Sequence, residues 1–474
     1  MSTTKKIAHN TLVQMLGKAV ATFLGLVGVG LLTRYLGQEQ FGWYITTISF
    51  LQFIGILVDF GMIPVTAQMM SEPKFHPSTL FRNLLTFRFV TAIIFLGIAP
   101  LIALLFPYPR EVKIAISFTT IAFLSVSMNQ VFIGLYQKEL KMHIQAIGEV
   151  LSRAVLVGGM YLLMVQGRSF LPIMAVISVA SVVYTAYLWW RAHRITNVSF
   201  AYDKTIWKAI MVKMWPIAIS IIFNVVYLKG DILLLSLFAG QTDVGLYGAA
   251  YRVIDILAQT AMLFMGIMLP ILAFAWSRQN TTEFRIRYQQ AFDTLMMLAI
   301  PIVIGTYILA EPIMVLIAGN DFAVSADALR VLSLAIGGVY LGAIFGHVAV
   351  SIDKQKQTMW IYISNAILTL TGYLIFIPIY GMHGAAWMTV FSELYAGTLL
   401  WLVIRHYTGI PLALKSLSKI LLSGIIMAAI LLLLQQLHVL ILVIIGAGTY
   451  GIALFALGGV SKQTLQEIFS IKRT

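Results

Sequence analysis

The sequence predicts an all-α polytopic membrane protein with about fourteen transmembrane helices. Three observations carry that expectation. The 474 residues are 60% hydrophobic and only 11% charged, with a mean hydropathy of +0.91, too little charge to cover a soluble protein of this length. Apolar runs of roughly 20 residues, enough to cross a bilayer as a helix, recur along the chain. Lys and Arg gather in every second gap between those runs.

The first span lies near 11–35, after a start that carries Lys5 and Lys6. That start resembles a signal peptide, but the apolar stretch runs on to Leu32 with no small-residue cleavage site after it, so the span is expected to be retained. Gly17, Gly25, Gly28 and Gly30 allow close packing or bending there. The GVG at Gly28–Gly30 lacks the lysine and strand context of a phosphate loop. Spans two to six are expected near 42–70, 83–106, 112–136, 146–166 and 170–190. The longest polar connection, Arg191 to Lys213, follows. Within it Ile206, Ile210 and Met214 share one face and Lys204 and Lys208 lie elsewhere, the pattern of a short helix lying in the cytoplasmic interface. The later spans fall near 214–238, 245–276, 288–317, 327–351, 358–379, 383–405, 417–436 and 438–459. Pro64, Pro216, Pro270 and Pro301 are candidate kinks.

Orientation follows from the basic residues. One set of gaps holds 22 of the 32 Lys and Arg, the opposite set and its edges hold five, and five lie inside spans. The asymmetry places both termini and the Arg191–Lys213 loop in the cytoplasm and requires an even number of spans. It also accounts for most of the net charge of +14, so no nucleic-acid partner is implied. With no Cys there is no disulfide, thiolate metal site or Cys nucleophile.

The chain echoes itself. LGQEQFGWY (Leu36–Tyr44) and AGQTDVGLY (Ala239–Tyr247) match at four of nine positions, offset by 203 residues: Gly37/Gly240, Gln38/Gln241, Gly42/Gly245 and Tyr44/Tyr247. Six spans separate the copies, so two six-helix lobes would insert in the same orientation, as parallel repeats. The expected divisions are 1–200, 201–405 and a remainder, 406–474, with two further spans and a cytoplasmic tail.

RYLGQEQFGWY (Arg34–Tyr44), DILLLSLFAGQTDVGLYGAAYRV (Asp231–Val253), LIAGNDFAVSADALRVLSL (Leu316–Leu334) and PIYGMHGAAW (Pro378–Trp387) resemble the polysaccharide-exporter branch of the multidrug/oligosaccharidyl-lipid/polysaccharide transporter superfamily. That branch includes O-antigen and teichuronic-type flippases. The resemblance covers nearly the whole chain. It implies a multi-pass protein of the cell (inner or plasma) membrane, with two lobes around a central cavity and two extra C-terminal helices. It further implies alternating access and a lipid-linked oligosaccharide as cargo, such as an undecaprenyl-diphosphate-linked cell-surface glycan or one on a similar polyprenyl carrier. Membrane lipids, a coupling ion (H+ or Na+), a glycan polymerase and glycosyltransferases are the partners such a role suggests.

Charges inside the spans are the candidate cargo contacts, because a charge in hydrocarbon costs at least about 2.5–3.5 kcal/mol and needs water or a partner. At 1.5 Å per residue, Lys18, Asp59 and Arg88 lie toward the cytoplasmic side of spans one to three. Lys229 sits in the outer half of span seven, and Arg252 and Asp255 enter span eight from outside. Secondary candidates are Glu149 and Arg153, one turn apart in span five, and Glu393 in the middle of span twelve. Two readings stay open for each group. Glu149/Arg153 and Arg252/Asp255 either neutralise each other along one helix face or serve the cargo. Lys18, Asp59 and Arg88 form either a structural triad or part of a path. Asp231, beside Gly230, suits a cap on a broken helix. Lys18 and Arg252 are not mirrored at the offset of 203, where Ile221 and Ser49 stand. Cations suit a diphosphate, since Lys and Arg offset its desolvation through charge-assisted hydrogen bonds.

A cation-coupled multidrug exporter of the same superfamily is the alternative. A membrane-embedded glycan polymerase or ligase is a third, but such enzymes need a sizeable outer loop with an acid, a base or a metal. The outer gaps here are short, and His347, His383 and His438 have no ligand spacing. No catalytic residue, metal site or cofactor is expected.

Overall fold

The computed structural model describes residues 3–59, 62–72 and 75–459, with side chains described except at 3–12, 15–16, 56–59, 62, 64 and 216–229. Within these residues the chain is built from helices: α1 (Thr3–Asp59), α2 (Met62–Ser71), α3 (Pro77–Leu104), α4 (Arg110–Lys138), α5 (Met142–Val165), α6 (Phe170–Ala192), α7 (Lys204–Phe238), α8 (Gln241–Ser277), α9 (Thr281–Ile308), α10 (Ala310–Ala318), a 3-10 turn (Asn320–Phe322), α11 (Ser325–Ser351), α12 (Gln355–Thr408), α13 (Lys415–Leu433) and α14 (Val439–Ala456). Eleven helices of the described residues are long and apolar enough to cross a membrane. The chain is a multi-pass, all-α membrane protein.

Eleven helices can hold more than eleven crossings, because two of them each join two expected spans. α1 carries spans one and two through a break at Gly37, which sits at φ 67° and ψ −176°. α12 carries spans eleven and twelve through Gly381, at φ 53° and ψ −131°. Both values are open to glycine and strained for other residues. At Gly381 the chain folds back on itself. Tyr373 Oη lies 3.2 Å from Thr389 Oγ1, Asn365 Nδ2 donates to Ser392 O at 3.1 Å, and Ser364 Oγ is 3.0 Å from Tyr395 Oη. Each pair is centred near residue 380, as an antiparallel helical hairpin requires.

The chain forms two compact units, Met1–Gly248 and Ala249–Thr474, divided within α8. In the first unit one apolar cluster gathers Phe81, Leu84, Phe132, Tyr136, Leu188, Ile206, Ile210 and Met214. Here the structure corrects the sequence reading of 201–215. From Lys204 that stretch is the start of α7, which continues unbroken to Phe238, and its apolar face of Ile206, Ile210 and Met214 is buried against protein. Asp203 caps α7, accepting from Thr205 N at 2.8 Å and Ile206 N at 3.1 Å. Asn83 Oδ1 on α3 in turn accepts from Asp203 N at 2.7 Å. A second cluster joins Phe50, Leu51 and Ile54 of α1 to Ala92, Leu96 and Ala99 of α3 and to Tyr108. Burial pushes the Tyr108 phenol up to about 12, so it stays neutral beside Ser236 Oγ, 3.0 Å away.

In the second unit α11 packs along α12 and α9. Tyr340 of α11 donates to Leu257 O of α8 at 3.1 Å. The last helices belong to this unit: Gly424 of α13 faces Ile300 and Ile304 of α9, and Tyr450 of α14 donates to Met297 O at 2.9 Å.

Candidate functional site

Charged side chains within apolar helices are placed by whichever neighbouring helix comes close enough to meet them. In the first unit, Lys18 on α1 meets α5. Its Nζ donates to Glu149 Oε1 at 3.3 Å, with side-chain exposures of 47% and 20%. Gly17 sets the approach, since a Cβ there would stand 2.6 Å from Ala146 Cβ. Sequence spacing offers Glu149 a partner on its own helix, Arg153. In the structure the carboxylate pairs with Lys18, and Arg153 is half-buried with no ion pair among the described residues.

Arg88 lies apart from that pair. Only 1% exposed, it reaches from α3 to α4, where its Nε donates to Ser127 O at 3.1 Å and an Nη donates to Gln130 Oε1. Gln130 therefore holds an arginine, a role that spacing alone does not reveal for residues on separate helices. Asp59 ends α1 and Lys229 lies on α7, but their side chains fall outside the described residues.

Asp231 is fully buried, and α7 runs through it rather than ending there. Instead of capping a broken helix, its carboxylate accepts from Tyr247 Oη at 2.7 Å and from Ile232 N at 2.7 Å. Tyr247 closes the second copy of the internal echo. The two copies touch: a Cβ on Gly42 would collide with the Gln241 carbonyl, and one on Gly245 with the Gln38 carbonyl. The repeat was visible in the sequence, but the contact between its copies was not.

In the second unit Arg252 and Asp255, three residues apart on α8, form the expected same-face pair, Nη1 to Oδ2 at 3.7 Å. Both side chains are about one-third exposed, at 29% and 32%. Glu393, 8% exposed, lies on the second half of α12 where α11 crosses closely. A Cβ on Gly338 would stand 2.7 Å from Glu393 Cβ.

Long apolar helices that carry a few paired charges define a polytopic membrane protein. The match to the family model described as polysaccharide biosynthesis protein spans residues 31–327, and the chain belongs to that family, in the superfamily of multidrug, oligosaccharidyl-lipid and polysaccharide transporters. It is 21% identical over 406 residues to the succinoglycan biosynthesis transport protein ExoT of Rhizobium meliloti (strain 1021), covering 85% of this chain and 81% of that one. It is 20% identical over 429 residues to the probable low-salt glycan biosynthesis flippase Agl15 of Haloferax volcanii, covering 90% and 89%. The lipid II flippase MurJ, in an inward closed conformation, shares the fold at a TM-score of 0.79 and 14% identity, over 93% of this chain and 98% of that one. These relatives are named as a transport protein and flippases, in keeping with the expectation of a transporter rather than an enzyme.

Proposed function

We propose that this protein moves a lipid-linked glycan precursor from the cytoplasmic to the outer leaflet. The observation that supports this most is its family membership together with near full-length similarity to proteins named for glycan transport and flipping. The finer reading is a polyprenyl-diphosphate oligosaccharide as cargo, carried by alternating access, with both termini cytoplasmic. In this reading 1–200 and 201–405 act as the two lobes and 406–474 as an addition to them. Lys18, Arg88, Lys229 and Arg252 meet the diphosphate, and Asp59 and Asp255 keep those cations from holding it too tightly.

The partly exposed cations Lys18 and Arg252, each paired with one carboxylate, suit a cargo that must be both taken up and released. Arg88 is already held by Ser127 and Gln130, so it would serve the cargo only after leaving those partners. The test is reconstitution in liposomes with defined lipid-diphosphate sugars. Protein-dependent transbilayer movement is expected, selective for the glycan-bearing lipid over an ordinary phospholipid. Equal movement of both lipids, or none of either, would sink the proposal.

A further inference from the structure

The ion pair between Lys18 and Glu149 stands out among the charges for where it faces. On α5 the exposed apolar residues are Ile147, Leu151, Tyr161, Leu162 and Val165. With 3.6 residues per turn these cluster on one side, and Glu149, two residues from both Ile147 and Leu151, points about 160–200° away. On α1 the exposed apolar residues Val20, Phe23 and Val27 mark a similar stripe, and Lys18, two residues before Val20, lies about 160° from it. The pair is therefore accessible on faces turned away from the greasy stripes. An exposed ammonium in a membrane span needs water, and a face turned from the lipid is where water can reach it.

The pair is also held in place. Gly17 brings the α1 backbone onto Ala146, and eleven residues further along both helices, in the same register, a Cβ on Gly28 would stand 3.5 Å from Val157 Cγ2. The two helices run parallel, which keeps the Lys18 backbone beside Glu149. One turn beyond Glu149 on the same face stands Arg153, half-buried and without an ion pair among the described residues. The order along this face is ammonium, carboxylate, guanidinium.

We propose that Glu149 is a placeholder for the phosphate of the cargo. This rests on the reading of the protein as a carrier of lipid-linked diphosphates. In the empty site the carboxylate neutralises Lys18. An incoming diphosphate carries more charge and more acceptor oxygens than one carboxylate, so it takes Lys18 from Glu149 through charge-assisted hydrogen bonds and gains Arg153 a turn further on. Glu149 then stands beside an anion, and the repulsion favours departure. The carboxylate is a specificity and release residue, acting by competition. It disfavours lipids whose headgroup carries less charge and fewer acceptor oxygens than a diphosphate, and it prevents a diphosphate from being trapped.

The test is binding of farnesyl diphosphate and farnesyl monophosphate to the purified full-length protein in detergent, followed by calorimetry, with melting temperatures measured alongside. Glu149→Gln should tighten diphosphate binding about two- to fivefold, the range expected from freeing a partly exposed ion pair, and should narrow the preference for diphosphate over monophosphate. Glu149→Ala should act in the same direction. Lys18→Gln should weaken binding, and the gain from Glu149→Gln should vanish in the Lys18→Gln background. If Glu149→Gln and Glu149→Ala bind the diphosphate no more tightly than the unaltered protein, or merely lower the melting temperature, the pair is structural and the placeholder is wrong. Unaltered protein that binds the diphosphate in that case leaves the carrier reading standing. Absence of diphosphate binding by every variant overturns both.

Discussion

Gly42 and Gly245 face each other where the two copies of the internal echo cross. Gly245 N lies 3.2 Å from where a Cβ on Gly42 would be, and Gly42 N lies 3.0 Å from where a Cβ on Gly245 would be. The flanking contacts are reciprocal as well: Gly42 abuts the Gln241 carbonyl and Gly245 abuts the Gln38 carbonyl. Adding 203 to the first member of each contact, and subtracting it from the second, turns one contact into the other. That is the signature of a local two-fold relationship between the repeats, with Thr46 Oγ1 donating to Gln241 Oε1 at 2.7 Å beside it.

Backbone atoms rather than flexible side chains oppose both glycines, so neither can give way to a methyl group. Gly42→Ala and Gly245→Ala are each expected to destabilise the protein by about 1–3 kcal/mol, the usual cost of overpacking. Gly25 and Gly97 have nothing within 4 Å of their Cβ positions. Alanine at those two helical sites should be neutral or stabilising by up to about 1 kcal/mol. Thermal unfolding of the four variants in detergent checks the contrast, and equal melting temperatures across the set would contradict the close contact.

The elements were legible in the sequence because an apolar run is a local property. Every expected span overlaps a helix of the structure. The turns at Gly37 and Gly381 were legible as breaks, and each is a single non-helical glycine that joins two helices with no loop between them. The face of Ile206, Ile210 and Met214 was legible as apolar but not in its partner. Periodicity marks what leaves water, and it cannot tell lipid from protein. The pairing of charges was legible only along a helix. Arg252 and Asp255 meet as spacing suggests, whereas Lys18 and Glu149 stand 131 residues apart, and only the packing of α1 on α5 joins them.

Burial separates two arginines that looked alike in the sequence. Arg88 is enclosed and bonded to α4, so Arg88→Gln should cost stability as well as transport. Losing charged hydrogen bonds of this kind costs about 1.5–3 kcal/mol. Arg88→Lys should rescue little, because a single ammonium cannot reproduce a fork that reaches two acceptors. Melting temperature and liposome flipping measured on the same preparations separate the two losses. A fully stable Arg88→Gln protein would contradict the packing of Arg88 on α4.

Arg252 should behave differently. Its pair with Asp255 spans 3.7 Å and is partly exposed, a geometry worth about 0–1 kcal/mol. Arg252→Gln is therefore expected to leave the melting temperature nearly unchanged while reducing flipping of a lipid-diphosphate sugar. Wild-type flipping by a correctly inserted Arg252→Gln protein would remove Arg252 from the proposed cargo path and leave it as half of a helix-surface pair.

Tyr247 tests the buried polar bond beneath the second echo. Its hydroxyl donates to a fully buried carboxylate, Asp231, at 2.7 Å. Tyr247→Phe removes that donor without changing the ring, and the carboxylate loses a bond that offset its desolvation. A loss of about 1.5–3 kcal/mol is expected. Asp231→Asn keeps a group that can accept from the same hydroxyl, so it should be milder than Asp231→Leu. Chemical or thermal unfolding orders the three variants, and a Tyr247→Phe protein as stable as the parent would show that the bond contributes nothing.

Topology can be read without removing any native thiol, because the chain has no Cys. Single cysteines at Thr242 and His383, both exposed, should react with a membrane-impermeant maleimide added to intact cells. Both flank turns in gaps poor in Lys and Arg. Cysteines at Arg194 and Lys204, exposed on either side of the strap between α6 and α7, should react only after the membrane is opened. The physical ground is the charge asymmetry. Of the 27 basic residues associated with gaps, 22 lie on the side assigned to the cytoplasm, and moving that many cations across would oppose the positive-inside bias. Labelling of Arg194→Cys or Lys204→Cys in intact cells, with Thr242→Cys and His383→Cys protected, would invert the protein. The proposed cargo entry at Lys18 would then face the wrong leaflet, and the proposed direction of transport would fall with it.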